Sequence, residues 1–240
     1  MSERQIFDRI LNEIVEYPVD GVYVVLNPPS NDFLVTTDLY MYNLLDGFLS
    51  LRLAGKDVIL GYANQQSLIY AAAGVSGLAT GNYRNVRSFD PEMFGVQDTT
   101  DVIQRAVWYY DADTLSEYRT TALALAYSRG MAGSFGPLCD YCAPLLNARN
   151  PTTVLWREPD AFRHYLTEIN RQWLELSAVT PDSRAIYTIN GVKNAYNKLA
   201  TLISNGFNPG LRSFDATFDP TLSALLAFEK DRRPQISLLV

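Results

Sequence analysis

The stretch at residues 58–90, VILGYANQQSLIYAAAGVSGLATGNYRNVRSFD, constrains the fold of this chain more than any other segment. It has the pattern of a strand, a short helix and a second strand, followed by a polar loop. This order predicts a βαβ unit, in which the two strands run in parallel. Ligands of α/β folds bind beyond the carboxyl ends of such strands, so we expect a site where the second strand enters the polar loop.

Segments before and within this stretch extend the parallel sheet. An apolar, β-branched run at 21–27 predicts a strand that is buried on both faces. A helical pattern at 39–54 connects it to the strand at 57–63, and a helix at 65–73 leads to a third strand at 75–80. Three strands joined by two helical crossovers predict a parallel sheet with right-handed connections.

The rest of the chain is increasingly helical. Residues 81–104 lack periodicity and are predicted to form a long loop, and RAVWYYD at 105–111 has the composition of a fourth strand. A short further strand is predicted within 131–137. Helices are predicted at 3–17, 114–128, 159–176, 180–204 and 219–230.

The predicted fold class is therefore α/β, with a parallel sheet that is barrel-like or a partial TIM barrel and a helical C-terminal region. Residues 1–135 are predicted to form the α/β core, and residues 136–240 a mainly helical region packed on it. Four or five strands are too few for a closed eight-stranded barrel, which takes about 250 residues. Part of a barrel, a small doubly wound sheet and a fragment of a longer protein all fit this strand count.

Composition narrows the classes of partner. The formal net charge of −6 argues against bulk electrostatic affinity for nucleic acid, although Arg84 and Arg87 could form a local basic patch. No apolar run reaches the length of a membrane span. Two cysteines are too few for a disulfide framework, so we predict a cytoplasmic protein with reduced thiols.

The polar loop provides the first candidate site. Arg84 and Arg87 lie three residues apart, and guanidinium groups bind phosphate or carboxylate oxygens in bidentate fashion. Asn27 and Asn64 follow two of the predicted strands and are expected at the same edge. The predicted ligand is an anionic small molecule or nucleotide. In the alternative interpretation, Asp90 pairs with either arginine and holds the loop.

Asp111 and Asp113 follow the possible fourth strand. Two carboxylates at a strand end can bind Mg²⁺ or act as acid and base. Asp113 is equally suited to cap the next helix. We therefore name Asp111, together with Asp90, as the candidate catalytic residues.

Cys139 and Cys142 form a CxxC motif, and the only histidine, His164, follows in a predicted helix. Thiolates at this spacing share a zinc ion or form a redox pair, and otherwise they are inert buried thiols. A zinc site with these three ligands needs a fourth, which Asp140 or a water would provide.

The order of βαβ unit, arginine-bearing loop, CxxC motif and histidine-bearing helix resembles the C-terminal half of tRNA-guanine transglycosylases. This resemblance implies a barrel enzyme with a zinc subdomain, in which Cys139, Cys142 and His164 match three of four ligand places. The first cysteine place falls on Pro137, and the stretch Gly77–Thr80 lacks the family's nucleophilic aspartate. Asp90 is a distant substitute, so a divergent member without the usual catalysis is implied.

Two functions follow from these patterns. The first is an α/β module that binds an anionic ligand at the carboxyl ends of its strands, with transglycosylase-like chemistry as one form of it. The second is a non-catalytic module that contacts a protein partner, or a second copy of itself, through its 15 tyrosines and helical C-terminal region.

Overall fold

The computed structural model describes residues 4–29, 32–94 and 106–239. The chain divides into two compact units that interleave along the sequence. Unit 1 comprises Met1–Phe89, Gln172–Lys193 and Ala216–Val240, and unit 2 comprises Asp90–Arg171 and Asn194–Asp215. This partition differs from the predicted division at residue 135, because the C-terminal helix packs with the early helices of unit 1.

The described elements are mainly helical. The α-helices are α1 Arg4–Glu16, α2 Asp38–Leu53, α3 Thr120–Ser128, α4 Ala143–Leu146, α5 Glu158–Ala178, α6 Pro181–Ser204 and α7 Phe218–Ile236. The strands are β1 Gly21–Val25, β2 Asp57–Gly61, β3 Gly77–Leu78, β4 Trp108–Asp111 and β5 Ser116–Arg119. Turns of 3₁₀ helix occur at Gln65–Ala73, Arg84–Val86, Pro91–Phe94, Ala132–Ser134, Pro151–Thr153 and Asp215–Thr217.

The sheet of unit 1 is parallel, as the sequence predicts. Its strand order is β1-β2-β3, with Val22 opposite Val58 and Leu60 opposite Leu78. The α2 helix connects β1 to β2, and the buried 3₁₀ helix connects β2 to β3. These crossovers bring the carboxyl ends of the three strands to one edge of the sheet.

Helix α2 is the centre of unit 1 and contacts α1, α7, the 3₁₀ helix at Gln65–Ala73 and β2. Two of its positions show how closely these neighbours approach. A Cβ at Gly47 would collide with the Phe7 ring of α1, so only glycine allows this contact. On another side, Phe48 meets Tyr70 edge to face, with ring centroids 5.2 Å apart.

Gln66 links three segments of unit 1 through its buried side-chain amide. Its Oε1 accepts from the Val35 amide at 2.7 Å, and its Nε2 donates to the Val35 carbonyl at 2.8 Å. The same Nε2 lies 3.2 Å from the Thr221 hydroxyl of α7. The adjacent Gln65 is fully buried, yet its amide has no hydrogen-bond partner among the described residues.

The strands of unit 2 form an antiparallel pair, in which Tyr109 lies opposite Tyr118. The predicted helix at 114–128 is wrong in its first part, because Ser116–Arg119 form β5 and α3 begins at Thr120. Leu115 has a positive φ of 53° and turns the chain back onto β4. Two long-range bonds also hold β5: the Phe214 amide donates to Ser116 Oγ, and the Glu117 amide donates to the Arg212 carbonyl.

Two further predictions bear on the sheets. The strand predicted within 131–137 is wrong, since Ala132–Ser134 form a turn of 3₁₀ helix. No closed barrel is present in residues 4–29, 32–94 and 106–239, where the strands form one three-stranded and one two-stranded sheet. The predicted loop at 81–104 contains two short 3₁₀ turns, and its part after residue 94 lies outside the described residues.

Within the described ranges, no helix has both the length and the apolar character that crossing a membrane requires.

The two adjacent glutamines give a matched test of this packing. Gln66→Met keeps the side-chain volume but leaves the Val35 amide and carbonyl unpaired, so we expect a loss of about 1–3 kcal/mol in the free energy of unfolding. Gln65→Met removes a buried amide that lacks a partner among the described residues, and should be neutral or stabilising. Urea denaturation of both variants measures the difference; equal destabilisation would contradict the role given to Gln66.

Candidate functional site

The CxxC motif forms a turn that leads into the short helix α4. Within it, the Ala143 amide donates to the Cys139 carbonyl at 2.9 Å, and the Cys139 amide points to Cys142 Sγ at 3.2 Å. The indole of Trp156 donates to the Tyr141 carbonyl at 2.9 Å and holds the middle of the turn. Both sulfur atoms are therefore fixed by backbone and side-chain hydrogen bonds on the same short segment.

His164 reaches these thiols from α5, and its buried ring is oriented by β4. Its Nε2 lies 2.6 Å from the backbone carbonyl of Tyr110. A carbonyl oxygen only accepts, so Nε2 carries the proton and Nδ1 faces the other way. The Tyr109 ring stacks on the imidazole, with centroids 4.9 Å apart and an interplanar angle of 11°.

The three candidate ligand atoms converge. Cys139 Sγ lies 3.5 Å from Cys142 Sγ and 3.1 Å from His164 Nδ1. All three lie within 4.8 Å of one another. Two donors on one tetrahedral zinc ion are about 3.6–3.8 Å apart. The two spacings from Cys139 Sγ are within about half an ångström of this range. The predicted grouping of Cys139, Cys142 and His164 is thus present in the structure.

The electrostatics of the cluster favour a thiolate. Burial raises the pKa of the Cys139 thiol, but hydrogen bonds from His164 and Cys142 and the charge of His164 together outweigh burial and lower the pKa to about 7. Burial lowers the pKa of His164, whereas hydrogen bonds to Cys139 and Cys142 raise it to about 10. A deprotonated thiol is the form that binds metal, and it is also the nucleophilic form.

Tyr109 and Tyr110 are the residues that the sequence patterns did not single out. Tyr110 contributes only a backbone carbonyl, for which a sequence has no signal. The buried Tyr109 hydroxyl has no hydrogen-bond partner in the part of the chain that the structure describes. Burial, followed by the charges of Asp111 and Cys142, raises the pKa of Tyr109 well above its ordinary value, so this hydroxyl keeps its proton.

The two carboxylates after β4 lie in different environments. Asp111 is fully buried, and its Oδ2 accepts from the Thr114 hydroxyl at 2.7 Å. Asp113 is exposed and forms an ion pair with Lys198 at 2.7 Å. Burial raises the pKa of Asp111 to about 6, against the opposing effects of Lys198 and Thr114.

The remaining predicted residues of unit 1 lie around the strand edge. Asn64 and Arg87 line a cleft there, together with Tyr62, which has a positive φ of 51° directly after β2. Arg84 stacks on the ring of Phe33, another lining residue, at 4.9 Å. Asn27 is exposed, and its carbonyl accepts from the Tyr40 hydroxyl at 3.2 Å.

Two of these polar side chains also support their own loops. Arg87 is buried and donates to the carbonyls of Gly81 and Asn82 at 2.9 and 2.7 Å. Asn64 caps the 3₁₀ helix, accepting from the Gln66 amide at 2.9 Å. The cleft has a cavity volume of about 40 Å³, room for a few waters or one phosphate-sized group.

Asp90, the second candidate catalytic residue, belongs to unit 2. Its Oδ1 accepts from the amide of Glu92 at 2.9 Å and so supports the 3₁₀ turn that follows.

Comparison with models of protein families, with curated proteins and with solved structures finds no match to this chain. The function must therefore be inferred from the geometry of the sites themselves.

Asp111 makes the stability of the protein dependent on pH. Its pKa rises from 3.8 to about 6 on folding, so the folded protein holds this proton more tightly than the unfolded chain. Stability should therefore fall as the pH rises from 4 to 7, by roughly 2–3 kcal/mol at 1.36 kcal/mol per pKa unit. Asp111→Asn lacks this titration, and the difference between the two unfolding profiles isolates it.

The measurement is the free energy of unfolding of both proteins in urea at several pH values. Parallel profiles of the wild type and Asp111→Asn between pH 4 and 7 would show that this carboxyl has an ordinary pKa in the folded protein.

Proposed function

We propose that unit 2 is a zinc-binding module, in which Cys139, Cys142 and His164 hold the ion. The observation that carries this proposal is the convergence of two sulfurs and one imidazole nitrogen within 4.8 Å. Thiolate and imidazole are donors that zinc prefers. Many tetrahedral zinc sites combine two cysteines with two histidines, or three cysteines with one histidine.

The surroundings of the three ligands support a metal over an isolated group of thiols. The hydrogen bond from Nε2 to the Tyr110 carbonyl leaves Nδ1 as the coordinating atom and fixes the plane of the ring. Such outer partners of metal-bound histidines orient the ring and increase its basicity. The Trp156 contact to the Tyr141 carbonyl holds the cysteine turn in a similar way.

The fourth coordination position is best assigned to a water. Asp140 lies between the cysteines but is exposed, and it is not part of the converging group. The Tyr109 hydroxyl is buried without a partner among the described residues and is close enough to Cys142 for its charge to raise the pKa of Tyr109. A metal-bound water gives this hydroxyl the hydrogen-bond partner that a buried polar group requires.

The same three residues match three of the four ligand places that the resemblance to tRNA-guanine transglycosylases implies. The resemblance also implies that the parallel strands form a barrel-like sheet or a partial TIM barrel, and this remains a proposal. The stretch Gly77–Thr80 contains no aspartate, so the proposal covers metal binding and includes no base exchange.

Metal analysis of single variants tests the zinc proposal. The purified protein should bind one zinc ion per chain, and Cys139→Ser, Cys142→Ser and His164→Gln should each weaken binding by at least 100-fold, since each removes one of three protein ligands. Competition with a chromophoric chelator measures the affinity.

Asp140→Asn is the matched control, because it changes an exposed side chain between the two cysteines and should leave the affinity unchanged. Zinc affinity that is the same in the two serine variants and in the wild type would contradict the proposal. A loss in Asp140→Asn as large as that in the serine variants would show that Asp140, and not water, is the fourth ligand.

A second candidate function is the binding of an anionic group at the strand-edge cleft of unit 1. The specific observation in its favour is that Asn64 and Arg87 line one small cleft, while Arg84 stacks on a ring of its wall. A backbone with positive φ at Tyr62, in the same lining, is the kind of strain that accumulates at functional sites. The cavity volume of about 40 Å³ admits a phosphate group, and the rest of such a ligand would lie outside the cleft.

Arg84 is the residue to change, since Arg87 supports its own loop and its loss would disturb folding. Arg84→Gln should weaken binding of a nucleoside monophosphate by about tenfold, the effect of losing one charge-assisted contact. Isothermal titration measures the affinity, with Arg9→Gln of helix α1 as the control for net charge. Equal affinities of wild type and Arg84→Gln, or no binding by the wild type, would reject this second function.

A further inference from the structure

A second cavity lies in unit 2, away from the cysteine cluster, between one face of α3 and the loop at 206–211. Its volume is about 430 Å³, within the range of about 300–1,000 Å³ that small-molecule sites occupy. Much of its wall is apolar and comes from Trp108, Ala122, Leu125, Phe207, Pro209 and Leu211. It is about ten times larger than the strand-edge cleft of unit 1.

The charged residues of this cavity have one sign. Arg119 and Arg129 line it, and no acidic residue occurs among the described lining residues. This contrasts with a chain whose formal net charge is −6. A cavity lined by cations alone attracts anions, and its low-dielectric wall strengthens that attraction.

The two arginines are not equivalent. Arg129 donates to the carbonyl of Gly206 and thereby holds the loop that forms one wall. The Arg119 guanidinium carbon lies over the indole of Trp108, 5.1 Å from the ring centroid, and has no carboxylate partner among the described residues. A guanidinium over an aromatic face still has N–H donors that can pair with an oxyanion.

The apolar wall indicates what the rest of the ligand must be. The side chain of Leu211 is 96% exposed at the lip of the cavity, and Leu125 is 49% exposed. Together with Trp108 they contribute apolar surface to the cavity that Arg119 also lines. A purely ionic ligand would leave this surface in water, whereas a ligand with an apolar body would cover it.

We propose that this cavity binds a small amphiphilic carboxylate. The carboxylate pairs with Arg119 in the bidentate geometry that matches a guanidinium, and the hydrocarbon body lies against Trp108, Leu125 and Leu211. The cavity lining does not include Cys139, Cys142 or His164, so this proposal does not depend on whether unit 2 binds metal. Because Trp108 lines the cavity, a change in its fluorescence would report that a ligand is bound.

Isothermal titration with octanoate tests the proposal, with the uncharged octanamide as the matched ligand. Octanoate should bind at least tenfold more tightly than octanamide, because only the carboxylate pairs with Arg119. Arg119→Gln should abolish this difference. Leu125→Glu, a change that a helix surface tolerates, places a negative charge in the cavity and should weaken octanoate binding by at least tenfold.

Arg149→Gln provides the control, since it removes an exposed arginine of unit 2 that does not line the cavity. It should leave the octanoate affinity unchanged, and circular dichroism of all three variants verifies that each is folded. Equal affinities for octanoate and octanamide, or unchanged octanoate binding in both Arg119→Gln and Leu125→Glu, would overturn the proposal. Absence of octanoate binding to the wild type would overturn it as well.

Discussion

The hydrogen bond between His164 Nε2 and the Tyr110 carbonyl is the interaction on which the account of unit 2 depends. At 2.6 Å, and with a carbonyl as the acceptor, it leaves no choice about which ring nitrogen carries the proton. The other nitrogen therefore faces Cys139 with a lone pair in the neutral ring, or pairs with the thiolate when the ring is charged. In the charged state the negative charge lies on the Cys139 sulfur, and a thiolate is the form that binds a divalent cation.

This bond also explains why strand β4 belongs to the site. Successive residues of a strand point to opposite faces, yet Tyr109 contributes its ring and Tyr110 its backbone to the same imidazole. Stacking by one residue and hydrogen bonding by the next hold the ring from two directions. Without these two contacts the imidazole could rotate, whereas here it is held in place beside the two thiols.

Sequence patterns were sufficient where local chemistry decides the structure. The β-branched runs at 21–25 and 57–61, separated by a helical pattern, predicted the parallel pair that the structure contains. The CxxC motif and the single histidine predicted the cluster of Cys139, Cys142 and His164, since the chain has only two cysteines and one histidine. The carbonyl of Tyr110 could not be predicted, because every residue has one and only the fold selects among them.

Elsewhere, tertiary contacts overrode local preference. Residues 116–119 continue the helical pattern of α3, yet bonds to Arg212 and Phe214, almost a hundred residues later, hold them as a strand. The sequence pattern does not distinguish Gln65 from Gln66, although only Gln66 forms hydrogen bonds with Val35. Arg87 is a similar case. An arginine in a polar loop suggests a ligand contact, but its hydrogen bonds stabilise its own loop.

Zinc K-edge X-ray absorption of the purified protein tests the central claim most directly, because it reports the atoms around the ion. We expect two sulfur neighbours at about 2.3 Å and two nitrogen or oxygen neighbours at about 2.0–2.1 Å. The sulfur signal should halve in Cys139→Ser. A zinc ion surrounded only by nitrogen and oxygen, or a protein that takes up no zinc, would contradict the assignment of Cys139, Cys142 and His164 as ligands.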